Sequence, residues 1–272
     1  WAWAFWAWSN PSLTWPPAAK NLADQRRMEQ YLHHLLIGQI TRETVIPLFG
    51  PPAVDFAGGA PLYAAGAMAL WGANAGIVSR VGSDFPLDLL STARQHGFDL
   101  TGVKSIDREV DLRSFTAWRD ARCAEHDNPL MHFSRADQPF PKSLLGYTPP
   151  PAGLDSRITP TALTIRPGDL PGEYLDARTA YIAPADFLTH SLLPDALRKG
   201  HITTILLRAG ERYMAPGFFD DLTGIFHRVS IFACQETSLR GLFSGRSYDL
   251  NEMTTHLTAQ GIEFVLVFQE DF

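Results

Sequence analysis

The chain has 272 residues, 45% of them hydrophobic and 19% charged, with a formal net charge of -6. That balance suits a globular protein with a large core and excludes an electrostatic footprint for nucleic acid. No run of about 18 uninterrupted apolar residues occurs, so no membrane-spanning helix is expected, and the length fits one large α/β domain or two small ones.

The first eight residues, WAWAFWAW, carry four of the seven tryptophans. They lack the basic segment of a signal peptide, and residues 1–28 read as a leader outside a domain spanning 29–272. At the other end EFVLVFQEDF stops directly after a strand-like run, which reads as a domain incomplete at its C-terminus. Cys123 and Cys234 stand far apart, and neither C-x-x-C nor H-x-x-x-H spacing occurs. The expectation is a reduced, cytoplasmic protein without a metal site.

The regular pattern begins at Tyr31. YLHHLLIGQI is a short apolar run that predicts a buried first strand. GGAPLYAAGAMALWGA, Gly58 to Ala73, places two glycines before a proline and a helix of small residues. AGIVSRVG predicts a second strand, and FPLDLLSTARQHG a helix closed by Gly97. RSFTAW, residues 113–118, alternates like a half-exposed strand, while 136–172 is rich in proline and reads as surface loop. The second half alternates strand and helix: TAYIAP, FLTHSLLPDALRKG, ITTILLR, PGFFDDLTGIFH, VSIFA, a short helix over 235–243, DLNEMTTHLTAQG and EFVLVF. Asp249 with Glu252 predicts a capping box, and Gly261 closes that helix.

Strands joined by single helices must run parallel, because each crossover is right-handed. Such a sheet takes ligands outside the C-terminal ends of its strands. Gly58 and Gly59 are expected there, with Pro61 in the first helical turn and the helix dipole aimed at the ligand. A tight turn before a buried helix, packed through Ala65, Ala69 and Gly72, is the plainer reading of the same residues.

The string GGAPLYAAGAMALWGANAGIVSRVGSDF resembles the amino-terminal signature of the ribokinase-like (PfkB) carbohydrate kinases, with Gly58, Gly59, Pro61, Ala65, Gly72, Gly82 and Asp84 in register. HGFDLTGV is similar to a further segment of that family, and the order of elements agrees from Tyr31 to the end. The resemblance implies a three-layer αβα fold with a mainly parallel sheet and a small β lid, formed here by about 43–57 and 108–135. It also implies a kinase that passes the γ-phosphate of ATP, with magnesium, to a hydroxyl of a sugar or nucleoside. Nucleic acid and membrane are not expected partners, and a homodimer through the lid is left open.

The resemblance places substrate binding at Glu43, Gly58, Gly59 and Tyr63. Glu43 stands for the family's first-strand aspartate and Tyr63 for its asparagine. On the phosphate and nucleotide side it points to Arg208, Cys234, Glu236 and Thr237, because CQETS aligns with the family's N-x-x-E. Cys234 and Thr237 there replace asparagine and glutamate, and Arg208 stands where many relatives have an acid. The family's G-A-G-D is absent from the sequence, which puts the expected catalytic aspartate beyond Phe272. Each residue also has a plainer reading: Glu43 as a solvated acid, Tyr63 as packing, Cys234 as a small buried apolar side chain, Arg208 as a surface charge. A non-catalytic binding or regulatory protein that keeps the kinase fold is the alternative. A dinucleotide-binding oxidoreductase fails, because IGQITRET follows the first strand in place of G-x-G-x-x-G.

Overall fold

The structure, a computed structural model, describes residues 32–151 and 153–269, so the leader expected over 1–28 lies outside the described residues. Strand β1 (His34–Ile37) is buried at Leu35, Leu36 and Ile37. Strand alternation sends Leu35 and Ile37 to one face and Leu36 to the other, and the two sets belong to separate apolar clusters. A strand buried on both faces has to be apolar throughout, which is why this run reads as continuous rather than alternating.

After β1 the chain leaves the sheet through β2 (Thr41–Ile46) and β3 (Ala53–Gly58), then returns through helix α1 (Ala60–Leu70) to β4 (Gly76–Val81). Helix α2 (Ser91–Gln95) leads to β5 (Val103–Ser105). A second excursion makes β6 (Arg113–Trp118), β7 (Ala124–Glu125) and α3 (Pro129–Arg135). Then β8 (Thr179–Ile182), α4 (Phe187–Arg198), β9 (Thr204–Arg208), α5 (Phe219–Phe226) and β10 (Ile231–Gln235) alternate. Helices α6 (Glu236–Leu242) and α7 (Leu250–Ala259) precede β11 (Phe264–Phe268).

Among the described residues seven strands form one sheet in the order β11-β10-β9-β8-β1-β4-β5, and every neighbouring pair is parallel. Residues of α4 to α7 pack with Leu35 and Ile37 on one face, and residues of α1 and α2 pack with Leu36 and Ile77 on the other. This is a three-layer α/β fold. At the edge, Val265 and Val267 pack inward, whereas Phe264, Leu266 and Phe268 on the opposite face are exposed.

The second sheet runs β3-β2-β6-β7. β2 is antiparallel to β3, with a bulge between Glu43 and Val45, and parallel to β6. It has its own small core of Phe115, Ala117, Phe133 and Leu144. Arg42 grips Asp55 across β2 and β3 with two hydrogen bonds of 2.8 and 2.9 Å.

Three local expectations are corrected. The helix expected over 85–97 is a 3-10 turn, Leu87–Leu90, followed by the short α2. Pro86 is held extended and no side chain caps the first turn, so the turn closes tightly, with Leu89 N bonding Pro86 O. Gly72 does not pack closely: it has φ +65 with nothing near a would-be Cβ, and it ends α1 as a left-handed residue. The capping box at α7 is not formed. Asp249 accepts from Asn251 N at 2.7 Å, but Glu252 accepts the Ser247 hydroxyl, and Ser247 in turn accepts from Asp249 N.

A buried polar chain ties the C-terminal ends of β8 and β9. The Ala183 carbonyl can only accept, so His190 Nε2 donates to it at 2.9 Å and Nδ1 accepts from the Tyr213 hydroxyl. Gly210 N donates to the same hydroxyl at 3.1 Å. Burial lowers the His190 pKa to about 4 and raises that of Tyr213, so both are neutral at pH 7.

Candidate functional site

Thr41 and Glu43 stand two residues apart on β2 and so share a face. The Thr41 hydroxyl donates to Glu43 Oε1 at 2.8 Å, and Gly59 N donates to the same oxygen at 2.8 Å. The Tyr63 hydroxyl, from the first turn of α1, donates to Oε2. Burial, then the neighbouring Glu43 charge and this hydrogen bond, raise the Tyr63 pKa, so the phenol stays protonated and remains the donor. The carboxylate offers about four acceptor positions, of which three are used. One position on Oε2 remains for an incoming hydroxyl.

The glycine pair is required twice over. A Cβ on Gly58 would lie 2.3 Å from Glu43 Cδ, and one on Gly59 would lie 2.3 Å from the Gln39 carbonyl oxygen. Gly59 also has φ +101, which L side chains rarely adopt. Gln39 follows β1 directly, so the pair sits at the C-terminal edge of the sheet. Pro61 lies in the first turn of α1 as expected. The plain tight-turn reading is thereby extended, because the turn also makes room for the Glu43 carboxylate.

Asp84 follows Gly82 in the turn after β4 and accepts from Val110 N at 3.0 Å. A cleft of about 400 Å³ beside it is lined by Arg42, Asp84, Asp111 and Arg113. Its arginines are taken, Arg42 by Asp55 and Arg113 by Asp111. Glu43 and Tyr63 do not line it, since Arg42 and Glu43 project from opposite faces of β2.

The residues expected on the phosphate side lie around the ends of β9 and β10, across β8 from the Glu43 cluster in the strand order. Cys234 is buried, and burial pushes its thiol up to about 12. Arg208 lies 5.3 Å from the centroid of the Phe268 ring, and its charge acts on the Tyr181 hydroxyl. Glu236 Oε1 accepts from Arg240 at 2.7 Å and its Oε2 from Gln269 at 2.8 Å. These two hydrogen bonds, Gln269 first, hold its carboxyl below the usual range. Thr237 is exposed. Of the four residues only Glu236 carries a carboxylate, and both its oxygens are engaged. The set does not fit a magnesium-phosphate site as it stands.

The structure therefore brings Glu43, Gly58, Gly59 and Tyr63 together, and keeps Arg208, Cys234, Glu236 and Thr237 as a loose group with separate partners. Sequence reasoning missed Thr41 and Asp55. The T-x-E spacing on a strand was the available signal for Thr41. Asp55 at φ +54 had none.

No protein-family model matches the chain, and no curated protein matches it by sequence. Solved structures do. Fructokinase with bound ATP from Xylella fastidiosa superposes with a TM-score of 0.58 at 16% identity, covering 89% of this chain and 73% of that one. The PfkB protein from Polaromonas sp. JS666 gives 0.58 at 15%, covering 87% and 76%. Aminoimidazole riboside kinase from Salmonella enterica gives 0.54 at 14%, covering 86% and 69%. No helix among the described residues is long and apolar enough to cross a membrane. With its seven-stranded parallel sheet, flanking helices and small mixed second sheet, the chain has the fold of the ribokinase-like (PfkB) carbohydrate kinases.

Proposed function

We propose that this chain supplies the acceptor-binding part of a phosphotransferase acting on a hydroxyl of a sugar or nucleoside. The observation that carries the reading is the Glu43 carboxylate, held by Thr41, Gly59 and Tyr63 with one acceptor position left. A polyol hydroxyl donating there would make a charge-assisted hydrogen bond, the stronger kind. The first turn of α1 adds backbone N–H groups without intrahelical partners, which suit the oxygens of the same ligand. The second sheet leaves this edge through β2 and β3 and would serve as its lid. Closure would exclude water, which protects a transferable phosphate from hydrolysis.

The four phosphate-side residues do not complete the chemistry. Glu236 is engaged at both oxygens, Cys234 is a buried protonated thiol, and neither acts as a general base in this arrangement. Their state favours a second reading, a polyol-binding protein that keeps the kinase fold without turnover.

Calorimetric titration with a panel of pentoses, hexoses and nucleosides tests the acceptor assignment, and ADP release from ATP with the same panel separates the two readings. Saturable binding of at least one polyol is expected, with little or no ADP release from the chain as it stands. Absence of binding across the panel would overturn both readings. Robust turnover would show that this chain holds a base and an anion hole not identified above.

A further inference from the structure

The outer end of the second sheet holds a cluster that the acceptor site does not use. Glu125 ends β7, Asp127 lies in the turn that follows, and His132 is on α3. One ligand atom from each lies within 4.8 Å of the others. His132 is nine-tenths buried: its side chain is 10% exposed. Its ring packs 5.7 Å from that of Phe115, and the next residue, Phe133, belongs to the small core of this sheet. The imidazole is therefore held in place by packing.

Its Nε2 is buried and makes no hydrogen bond among the described residues. Glu125 Oε2 is only 3.1 Å away, but the contact lacks hydrogen-bond geometry, so the nitrogen's own axis is left without a partner. A buried ring nitrogen in this state is uncommon and calls for a partner, water or an ion. The other oxygen of Glu125 meets Arg119 at 3.3 Å, an exposed contact that contributes little.

We propose that Glu125, Asp127 and His132 form a binding site for a divalent first-row transition-metal cation, Zn²⁺ foremost. Two ligand atoms about 2.0–2.2 Å from one cation lie about 2.8–3.6 Å apart at octahedral or tetrahedral angles. The Nε2–Oε2 separation of 3.1 Å already falls in that range. Asp127, exposed and with its ligand atom within 4.8 Å of the other two, needs to move by no more than about 1.2 Å to bring its carboxylate into the same range. One imidazole with two carboxylates matches zinc-type ions, whereas magnesium or calcium takes oxygen ligands alone. The two negative charges neutralise the cation, and water completes the shell. A bound ion would fasten the β7 edge and α3 to each other at the rim of the second sheet.

The test is calorimetric titration of the full chain with Zn²⁺ alone, beside Asp127→Asn and His132→Gln. Binding of one equivalent is expected, weakened at least about tenfold by either substitution. Zn²⁺ should also raise the unfolding midpoint of the unsubstituted chain and raise it less in the variants. Asp127 is exposed, so its variant reports on binding even where replacement of His132 disturbs the small core. Arg119→Ala should bind at least as tightly as the unsubstituted chain. The proposal is overturned where Zn²⁺ does not bind, or where it binds Asp127→Asn as tightly as the unsubstituted chain, since other histidines would then be responsible.

Discussion

The proposed acceptor side and the expected phosphate side stand at the same edge of one sheet, yet their polar groups are spent differently. Around Glu43, three donors from β2, the glycine turn and α1 converge on one carboxylate and leave acceptor capacity over. Around Glu236, the donors come from Arg240 and Gln269, one to each oxygen, and the neighbouring Arg208 is drawn to Phe268 and Tyr181. A binding site has to hold its groups in place without using them up. The first cluster meets that condition and the second does not, which is why acceptor binding is proposed with more structural support than phosphate transfer.

The largest expected effect comes from breaking the acceptor side at its turn. Gly59→Ala adds a Cβ 2.3 Å from the Gln39 carbonyl oxygen at φ +101. Backbone strain and overpacking together should cost roughly 3–5 kcal/mol of stability, read from chemical denaturation. An alanine variant as stable as the parent would show that the turn relaxes freely, and the reason given for the glycine pair would fail.

A second effect concerns the scaffold shared by the two sides. His190 links Ala183, after β8, to Tyr213 and Gly210, after β9. Burial lowers its pKa from 6.5 to about 4, so the unfolded chain binds the extra proton first as pH falls. This contribution to stability is fully present above pH 6.5 and is lost between pH 6.5 and about 4. The loss should be about 3 kcal/mol. His190→Gln should flatten that part of the stability–pH curve. A curve of unchanged slope would mean that the imidazole is not held neutral.

How much of this was legible in the sequence differs between the two sides in the same way. The parallel sheet could be read because buried strands such as HLLI and TILLR are apolar runs separated by helices of ordinary length. The glycine pair and Pro61 could be placed because they are tied to β1 and α1 by short-range geometry, and Glu43 could be placed by the family resemblance. The 3-10 turn at 87–90 was not legible, since LDLL carries a helical pattern and only the missing cap decides against it. Nor was the failed capping box, because Ser247 lies outside the Asp249–Glu252 spacing and takes both groups. Glu125, Asp127 and His132 come from a strand, a turn and a helix, so no helical histidine spacing could reveal them. Gln269 beside Glu236 and Phe268 beside Arg208 are set by where β11 lies, a tertiary fact that CQETS does not encode, whereas Arg240 stands four residues after Glu236 on the same helix.

Glu43→Gln sharpens the comparison directly. The amide keeps the shape but loses the charge and one oxygen, and a hydrogen bond to a charged group contributes about 1.5–3 kcal/mol. Polyol affinity should fall about 10–100-fold, while binding of a non-hydrolysable ATP analogue stays unchanged. Equal loss of both ligands would mean that the two sides are coupled through the sheet and that the contrast drawn between them is too sharp.

Arg240→Ala is expected to do least. Arg240 contacts Glu236 one helical turn away, a pair of the i,i+4 type on the surface of α6. Such exposed pairs contribute little, so the unfolding midpoint should stay within error of the parent. The variant frees one oxygen of Glu236 but leaves Gln269 on the other. A single half-engaged carboxylate is a poor magnesium ligand set, because magnesium holds to near-octahedral oxygen geometry and gives up its water reluctantly. Titration of the ATP analogue with and without magnesium should therefore show no more than about a threefold metal dependence in either form, well under 1.4 kcal/mol. A tenfold or greater dependence in the unsubstituted chain would show a phosphate side assembled by residues other than Arg208, Cys234, Glu236 and Thr237. The acceptor side would then have a working counterpart, and the choice between a kinase and a silent binding protein would turn towards the kinase.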